Sequence, residues 1–158
     1  MTAHATLGRL QTFLHLLAMG LFLGTIAELL SVKHYGDPVQ LIPFALTGIG
    51  LIALALVWVH PSQLVMRTCA GLMAVIASGS LLGVFEHVEG NLSVLAETHR
   101  NPTIRQQLGA VLTGDAPLLA PGTLAIAAAI GLAALYARRS LRTTTDDEHR
   151  IRLNPRPT

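Results

Sequence analysis

Charged side chains are scarce in this sequence, and their scarcity argues against a soluble protein. Only 13% of the 158 residues are Asp, Glu, Lys or Arg, whereas 51% are apolar. A soluble domain of this length needs more polar side chains to cover its surface. Aromatic residues make up only 4% of the chain, and no nucleic-acid-binding module is recognisable. We therefore expect no nucleic acid partner.

Cysteine and catalytic motifs are also nearly absent. The single cysteine, Cys69, has no partner for an internal disulfide and belongs to no zinc-binding pattern. Ser78 and Ser80 lie among small residues, a setting typical of close helix packing rather than of a nucleophile. No glycine-rich loop that would hold a phosphate occurs. The sequence therefore favours a non-enzymatic protein.

Long apolar stretches are what the chain has instead. Four of them, 10–30, 38–59, 63–85 and 117–136, reach the length of about 20 residues that a helix needs to cross the hydrocarbon core of a bilayer. This pattern predicts an all-α fold, a bundle of four transmembrane helices formed by residues 1–142. The remaining segment, 143–158, is polar and charged and contains prolines, so we expect a disordered cytoplasmic tail.

Basic residues next to the apolar stretches predict the orientation in the membrane. One side carries Arg9, Arg67, Arg138, Arg139 and Arg142; the other side carries Lys33, Arg100 and Arg105. Because the side richer in Lys and Arg stays inside, both termini are expected in the cytoplasm of a bacterium whose inner membrane holds the protein. Thr25-Ile26-Ala27 would serve as a signal-peptide cleavage site, but the apolar stretch continues beyond it, which favours an uncleaved anchor.

Residues 86–116 form the only long connection, and a short amphipathic helix is expected within it. Gly90-Asn91 predicts the end of the third helix, and Asn101-Pro102 predicts the start of the short one. Apolar residues then recur at helical spacing and would share one face: Ile104, Leu108, Val111 and Leu112. Such a helix either lies in the outer membrane–water interface or covers the bundle as a lid.

Two segments repeat one pattern at the same predicted depth: Gly20-x-x-x-Gly24-x-x-x-Glu28 and Gly79-x-x-x-Gly83-x-x-x-His87. A spacing of four residues places each set on one helix face. Because glycine lets another backbone approach closely, this arrangement predicts that Glu28 and His87 point at protein rather than at lipid.

Imidazole and carboxylate groups gather at the outer ends of the predicted helices. The candidate ligands of a metal are Glu28, His34, Glu86 and His87, with Asp37, Glu89 and His99 nearby in the sequence. This donor set suits a divalent ion such as zinc, iron, copper or manganese. The alternative is a structural role without metal, in which Glu28 simply pairs with His87 or Lys33.

The sequence favours an accessory or interaction role, in which the chain binds a partner membrane protein or a second copy of itself. Two further functions stay open. His15 and His60, together with His34 and His87, superficially resemble the axial ligands of a b-type haem electron carrier, although their depths differ. Asp37 precedes Pro43 by the interval at which Asp115 precedes Pro121, which suggests two related hairpins. Such a repeat is typical of small transporters that work as oligomers.

Two stretches of the chain carry a resemblance to a family. The first is Ala27-Glu28-Leu29-Leu30 with His34, Asp37-Pro38 and Gln40-Leu41-Ile42-Pro43; the second is His87 and Gly90-Asn91 with Thr113-Gly114, Ala116-Pro117 and Ala120-Pro121-Gly122. Over roughly residues 10–137 the chain resembles small bacterial four-helix membrane proteins. The resemblance implies the same four-span fold and draws attention to Glu28, His34 and His87, but it implies no activity. Lys33 and Glu89 depart from its pattern, which puts Glu89 in doubt as a ligand.

Overall fold

The computed structural model describes residues 3–33, 35–36, 38–114 and 118–153, with side chains described for 4–33, 35–36, 38–114 and 118–141. The described residues form five α-helices and no strand, which confirms the all-α prediction. They are α1 (Ala3–Ser31), α2 (Leu41–Val59), α3 (Gln63–Thr98), α4 (Ile104–Thr113) and α5 (Leu119–Leu153). Four of these, all except α4, are long and apolar enough to cross a membrane by length and composition.

Three of the long helices, α1, α3 and α5, are longer than the apolar stretches that predict them, whereas α2 is shorter by the three residues of a 3-10 turn. Hydrophobicity marks only the part of a helix that would lie in hydrocarbon, whereas the backbone hydrogen bonds continue into polar flanks. A 3-10 turn, Pro38–Gln40, leads into α2, and the Gln40 side chain accepts a hydrogen bond from the Gly36 backbone N–H at 2.8 Å. The predicted cap of this helix, Asp37, lies outside the described residues.

Two helices continue past the ends that the sequence predicts. The stop at Gly90-Asn91 is wrong, because α3 runs on to Thr98. Asn91 is 5% exposed, and a β-carbon on Gly114 would lie 2.5 Å from its Cγ; packing against the segment after α4 outweighs the local stop signal. At the other end of the chain, α5 extends to Leu153, into the segment for which composition predicts disorder. The boundary at residue 142 stays a prediction.

The short helix α4 begins two residues later than predicted. Thr103 caps it, and a reciprocal pair of hydrogen bonds joins the Thr103 and Gln106 side chains to each other's backbone N–H groups. Within the described chain α4 packs against α3 and no other helix. Ile104, Leu108 and Leu112 on its apolar face are more than half exposed. This arrangement does not support a lid over the bundle.

The four long helices form a bundle in which α1 and α3 stand on a diagonal. Each of them packs against both α2 and α5, but in the described part of the chain they make no close backbone contact with each other. The centre is filled by interlocking apolar side chains that are 2% exposed or less: Phe22, Leu54, Met73, Ile76 and Leu124. The diagonal arrangement decides how groups on α1 and α3 can meet.

Candidate functional site

A cavity of about 650 Å³ opens at one end of the bundle. We call this end, where α1 ends and α2 begins, the cavity end. Side chains from α1, from the 3-10 turn and from α2, α3 and α5 line the cavity. Its apolar wall includes Ile42, Pro43 and Leu46 of α2 and Pro121 and Leu124 of α5. Pro43 and Pro121, which are equivalent in the suggested repeat, therefore face the same space.

Three of the four predicted site residues line this cavity. Glu28 comes from α1, whereas Glu86 and His87 come from α3. The fourth, His34, lies outside the described residues. Glu28 and His87 thus reach the cavity from α1 and α3, which make no close backbone contact with each other in the described part of the chain. All three side chains are partly or largely exposed, so they mark the mouth of the cavity.

Neither carboxylate at the mouth is paired with another described residue. Among the described residues, the side chains of Glu28, Glu86 and His87 make no hydrogen bond and no ion pair. The proposed structural contact of Glu28 with His87 or Lys33 is therefore not observed there. The acid and the imidazole remain free to contact a ligand.

The two glycine patterns have different surroundings. Gly79 and Gly83 of α3 line the cavity, and a β-carbon on Gly83 would lie 3.5 Å from the Pro121 Cβ. The absence of side chains at these two positions leaves space that the cavity occupies. On α1 no other helix of the described chain makes the predicted close approach, because Gly20 and Gly24 are exposed and a β-carbon on either would meet nothing within 4 Å.

The orientation of α1 explains that difference. Its buried face is formed by Ala18, Phe22, Thr25 and Leu29, which follow one another at intervals of three and four residues. Gly20 and Gly24 lie on the opposite side of the helix, whereas Glu28 lies beside Leu29 at the edge of the buried face. A glycine motif predicts that another helix can approach closely at that face, but it does not predict whether the face points into the bundle or away from it.

Ser80 is a site residue that the sequence assigns only to packing. It is 3% exposed, it lines the cavity, and its Oγ has no hydrogen-bond partner. The buried hydroxyls of Thr25 and Thr47, by contrast, donate to the backbone carbonyls of Leu21 (3.0 Å) and Pro43 (2.6 Å). A helical serine usually donates to the preceding turn, so no sequence signal distinguishes Ser80 from a packing residue.

The described residues contain no group of three or more His, Cys, Asp or Glu side chains that could hold a metal ion. Glu28, Glu86 and His87 line one cavity but do not form such a group. With His34 outside the described residues, the metal site stays a prediction. Glu89 and His99 do not line the cavity.

The histidines at the other end of the bundle give the haem hypothesis no support. His15 is completely buried, and its ring packs against that of Trp58 with 5.1 Å between the centroids. Both ring nitrogens, like Nε2 of Gln11, lack a hydrogen-bond partner, although the ring also faces the backbone of Leu54. His60 is exposed at the end of α2. An axial ligand needs a ring nitrogen directed at the haem iron, and none of the cavities described here is lined by His15.

Comparisons with protein-family models, with curated proteins and with solved structures give no match to this chain. The functional argument therefore depends on the cavity and the residues around it.

Proposed function

We propose that this protein is embedded in the cytoplasmic membrane of a bacterium, with both termini in the cytoplasm and the cavity end facing outward. Large apolar side chains on the outside of the bundle support the membrane location: Ile52, Val75 and Leu82 are each more than 60% exposed. A water-soluble bundle would not leave so wide an apolar surface uncovered. The distribution of arginines supports the orientation.

The position of α4 fits the same proposal. Three consecutive polar residues of α4, Arg105, Gln106 and Gln107, lie between Ile104 and Leu108. The exposed apolar face formed by Ile104, Leu108 and Leu112 has no partner in the described chain. In the outer interface this face would enter the acyl-chain boundary while the polar face contacts headgroups and water. We therefore place α4 in the interface beside the mouth of the cavity, where it leaves the mouth open.

Within that membrane we propose a non-enzymatic binding function for the cavity. One observation carries it: a space of about 650 Å³ has a largely apolar wall and a mouth with Glu28, Glu86 and His87. Pockets of about 300–1,000 Å³ with mostly apolar walls and a few polar groups are typical of small-molecule sites. The combination suits an amphiphile, whose chain enters the wall while its polar head stays at the mouth.

We expect Gly79→Leu to block this site. Gly79 lines the cavity, and the nearest atom to a β-carbon there is Cδ1 of Leu46 at 4.0 Å, so a leucine side chain fits the backbone but occupies the space. Labelling of Leu46 and Leu124 by a photoreactive alkyl diazirine in nanodiscs should fall about tenfold, because a ligand would have to overlap the new side chain.

Gly71→Leu is the matched control for this experiment. Gly71 is on the same helix, but it is exposed, with nothing within 4 Å of a β-carbon, so labelling of the cavity wall should stay at the wild-type level. Equal labelling of Gly79→Leu and wild type would show that the cavity holds no ligand, and the binding function would have to be abandoned.

A second candidate function is interaction with a partner membrane protein or with a second copy of the chain. The exposed positions of Gly20 and Gly24 on α1 favour it, because a β-carbon on either would meet nothing within 4 Å. Glycines four residues apart on an outward face permit close helix association in membranes. An oligomeric transporter would be one form of such an assembly.

A further inference from the structure

We infer that the ligand of the cavity is an amphiphile with one aliphatic chain and a positively charged ammonium head. This inference rests on the proposed binding function and specifies the chemical class of its ligand. It follows from the charges at the mouth, from their placement on opposite helices and from the composition of the wall.

Among the described residues, the ionisable groups that line the cavity are two carboxylates, Glu28 and Glu86, and one imidazole, His87. None of the described lysines and arginines, including Lys33 just after α1, lines the cavity. Neither carboxylate has an ion-pair partner among the described residues. A head group that enters this mouth therefore meets net negative charge, which favours a cation and disfavours a carboxylate or phosphate.

The two carboxylates approach from opposite sides. Glu28 belongs to α1 and Glu86 to α3, the two helices on the diagonal of the bundle. An ammonium head has three N–H donors and can donate to a carboxylate on either helix, whereas a hydroxyl has only one donor. The charge and the acceptors at the mouth thus favour a primary ammonium there.

The wall below the mouth is largely apolar, which suits an aliphatic chain. Ser80 lies about 10 Å further into the bundle than His87, since the two are seven residues apart on one helix. Gly83 lies between these levels and Gly79 lies beside Ser80, and the absence of side chains at both positions leaves space in the cavity. The Ser80 hydroxyl is 3% exposed and has no partner in the protein. Because an aliphatic chain cannot supply a hydrogen bond, a water at the inner end of the cavity is the expected partner of this hydroxyl.

Three photoreactive probes test the inference: alkyl diazirines of the same chain length that end in a primary amine, an alcohol or a carboxylic acid. Each probe is added to the full chain in phosphatidylcholine nanodiscs, and peptide mass spectrometry measures labelling of Leu46 and Leu124. Labelling of Ile52, which is 62% exposed on the outside of α2, corrects for partition of each probe into the lipid.

We expect the amine to label the cavity wall about threefold to tenfold more than the alcohol, with the acid lowest, since partly exposed ion pairs contribute modest free energies. The double variant Glu28→Gln/Glu86→Gln should reduce amine labelling to the level of the alcohol and leave alcohol labelling unchanged. Glu97→Gln, an exposed α3 residue that does not line the cavity, should change neither. Unaltered alcohol labelling also shows that the double variant is folded.

The outcomes separate this inference from the binding function on which it rests. Equal wall labelling by all three probes, still blocked by Gly79→Leu, would overturn the ammonium assignment and retain the cavity as a binding site. Stronger labelling by the acid would overturn it too. If no probe labels Leu46 or Leu124 above Ile52, both the binding function and its ligand class are wrong.

Discussion

Replacing Gly50 by alanine is expected to destabilise the bundle by about 1–3 kcal/mol, the usual range for overpacking a core. A β-carbon at this position would lie 2.7 Å from Cε1 and Cζ of Phe22 and 3.3 Å from Cδ1 of Ile76. Phe22 and Ile76 are 0% and 1% exposed, so neither side chain can move aside without disturbing its own neighbours. Because Phe22 belongs to α1, the substitution should force α1 and α2 apart.

Gly48→Ala provides the control for that measurement. Gly48 is on the same helix, two residues earlier, and a β-carbon there would meet nothing within 4 Å. Unfolding of the purified protein in a mild maltoside detergent, by heat or by titration with a denaturing detergent, compares the two variants. Gly48→Ala should be as stable as wild type or slightly more so, since alanine is the better helix former. Equal stability of the two variants would mean that α1 and α2 do not pack through Gly50.

Single cysteines introduced at the two ends of the bundle should reveal the orientation in the membrane, because we expect one to be labelled almost completely and the other hardly at all. Gly36→Cys is in the connection at the cavity end, and Gln63→Cys is at the start of α3, at the opposite end of the bundle; both positions are exposed. In right-side-out bacterial membrane vesicles, a membrane-impermeant maleimide should label Gly36→Cys fully. Gln63→Cys should react only after the membrane is permeabilised, because a polar reagent does not cross the hydrocarbon core.

The native cysteine should contribute no background labelling to this experiment. Cys69 is 1% exposed in the core, so the unmodified chain should not react. Labelling of Gln63→Cys alone in sealed vesicles would reverse the orientation and place the cavity end in the cytoplasm. Labelling of both positions without permeabilisation would contradict a membrane-spanning arrangement.

Helix number and class could be predicted from the sequence because hydrophobic length is a strong and local signal. Helix ends were less predictable. Gly90-Asn91 carries a local stop signal, yet α3 continues to Thr98 because Asn91 packs near Gly114. The contact joins residues that are far apart in the chain, and no local pattern reports it.

Part of the candidate site could also be predicted from the sequence. Glu28, Glu86 and His87 could be grouped because the first and the third connections of four antiparallel helices must lie at the same end of the bundle. The sequence does not say that α1 and α3 are diagonal, so a direct Glu28–His87 contact was an open alternative. The unpartnered hydroxyl of Ser80 could not be foreseen either, because it depends on the side-chain rotamer and on the cavity beside it.

Cross-linking between α1 and α3 at the mouth is the most direct test of the central claim, that Glu28 and His87 face one cavity. The variant Glu28→Cys/His87→Cys is treated in nanodiscs with a bis-maleimide about as long as the cavity is wide, and mass spectrometry measures the linked peptide. Leu30→Cys/His87→Cys is the control, because Leu30 is at nearly the same level of α1 but is 54% exposed on its outside. We predict efficient linkage of positions 28 and 87 and little linkage of 30 and 87. Equal linkage of the two pairs, or none in either, would contradict a shared cavity.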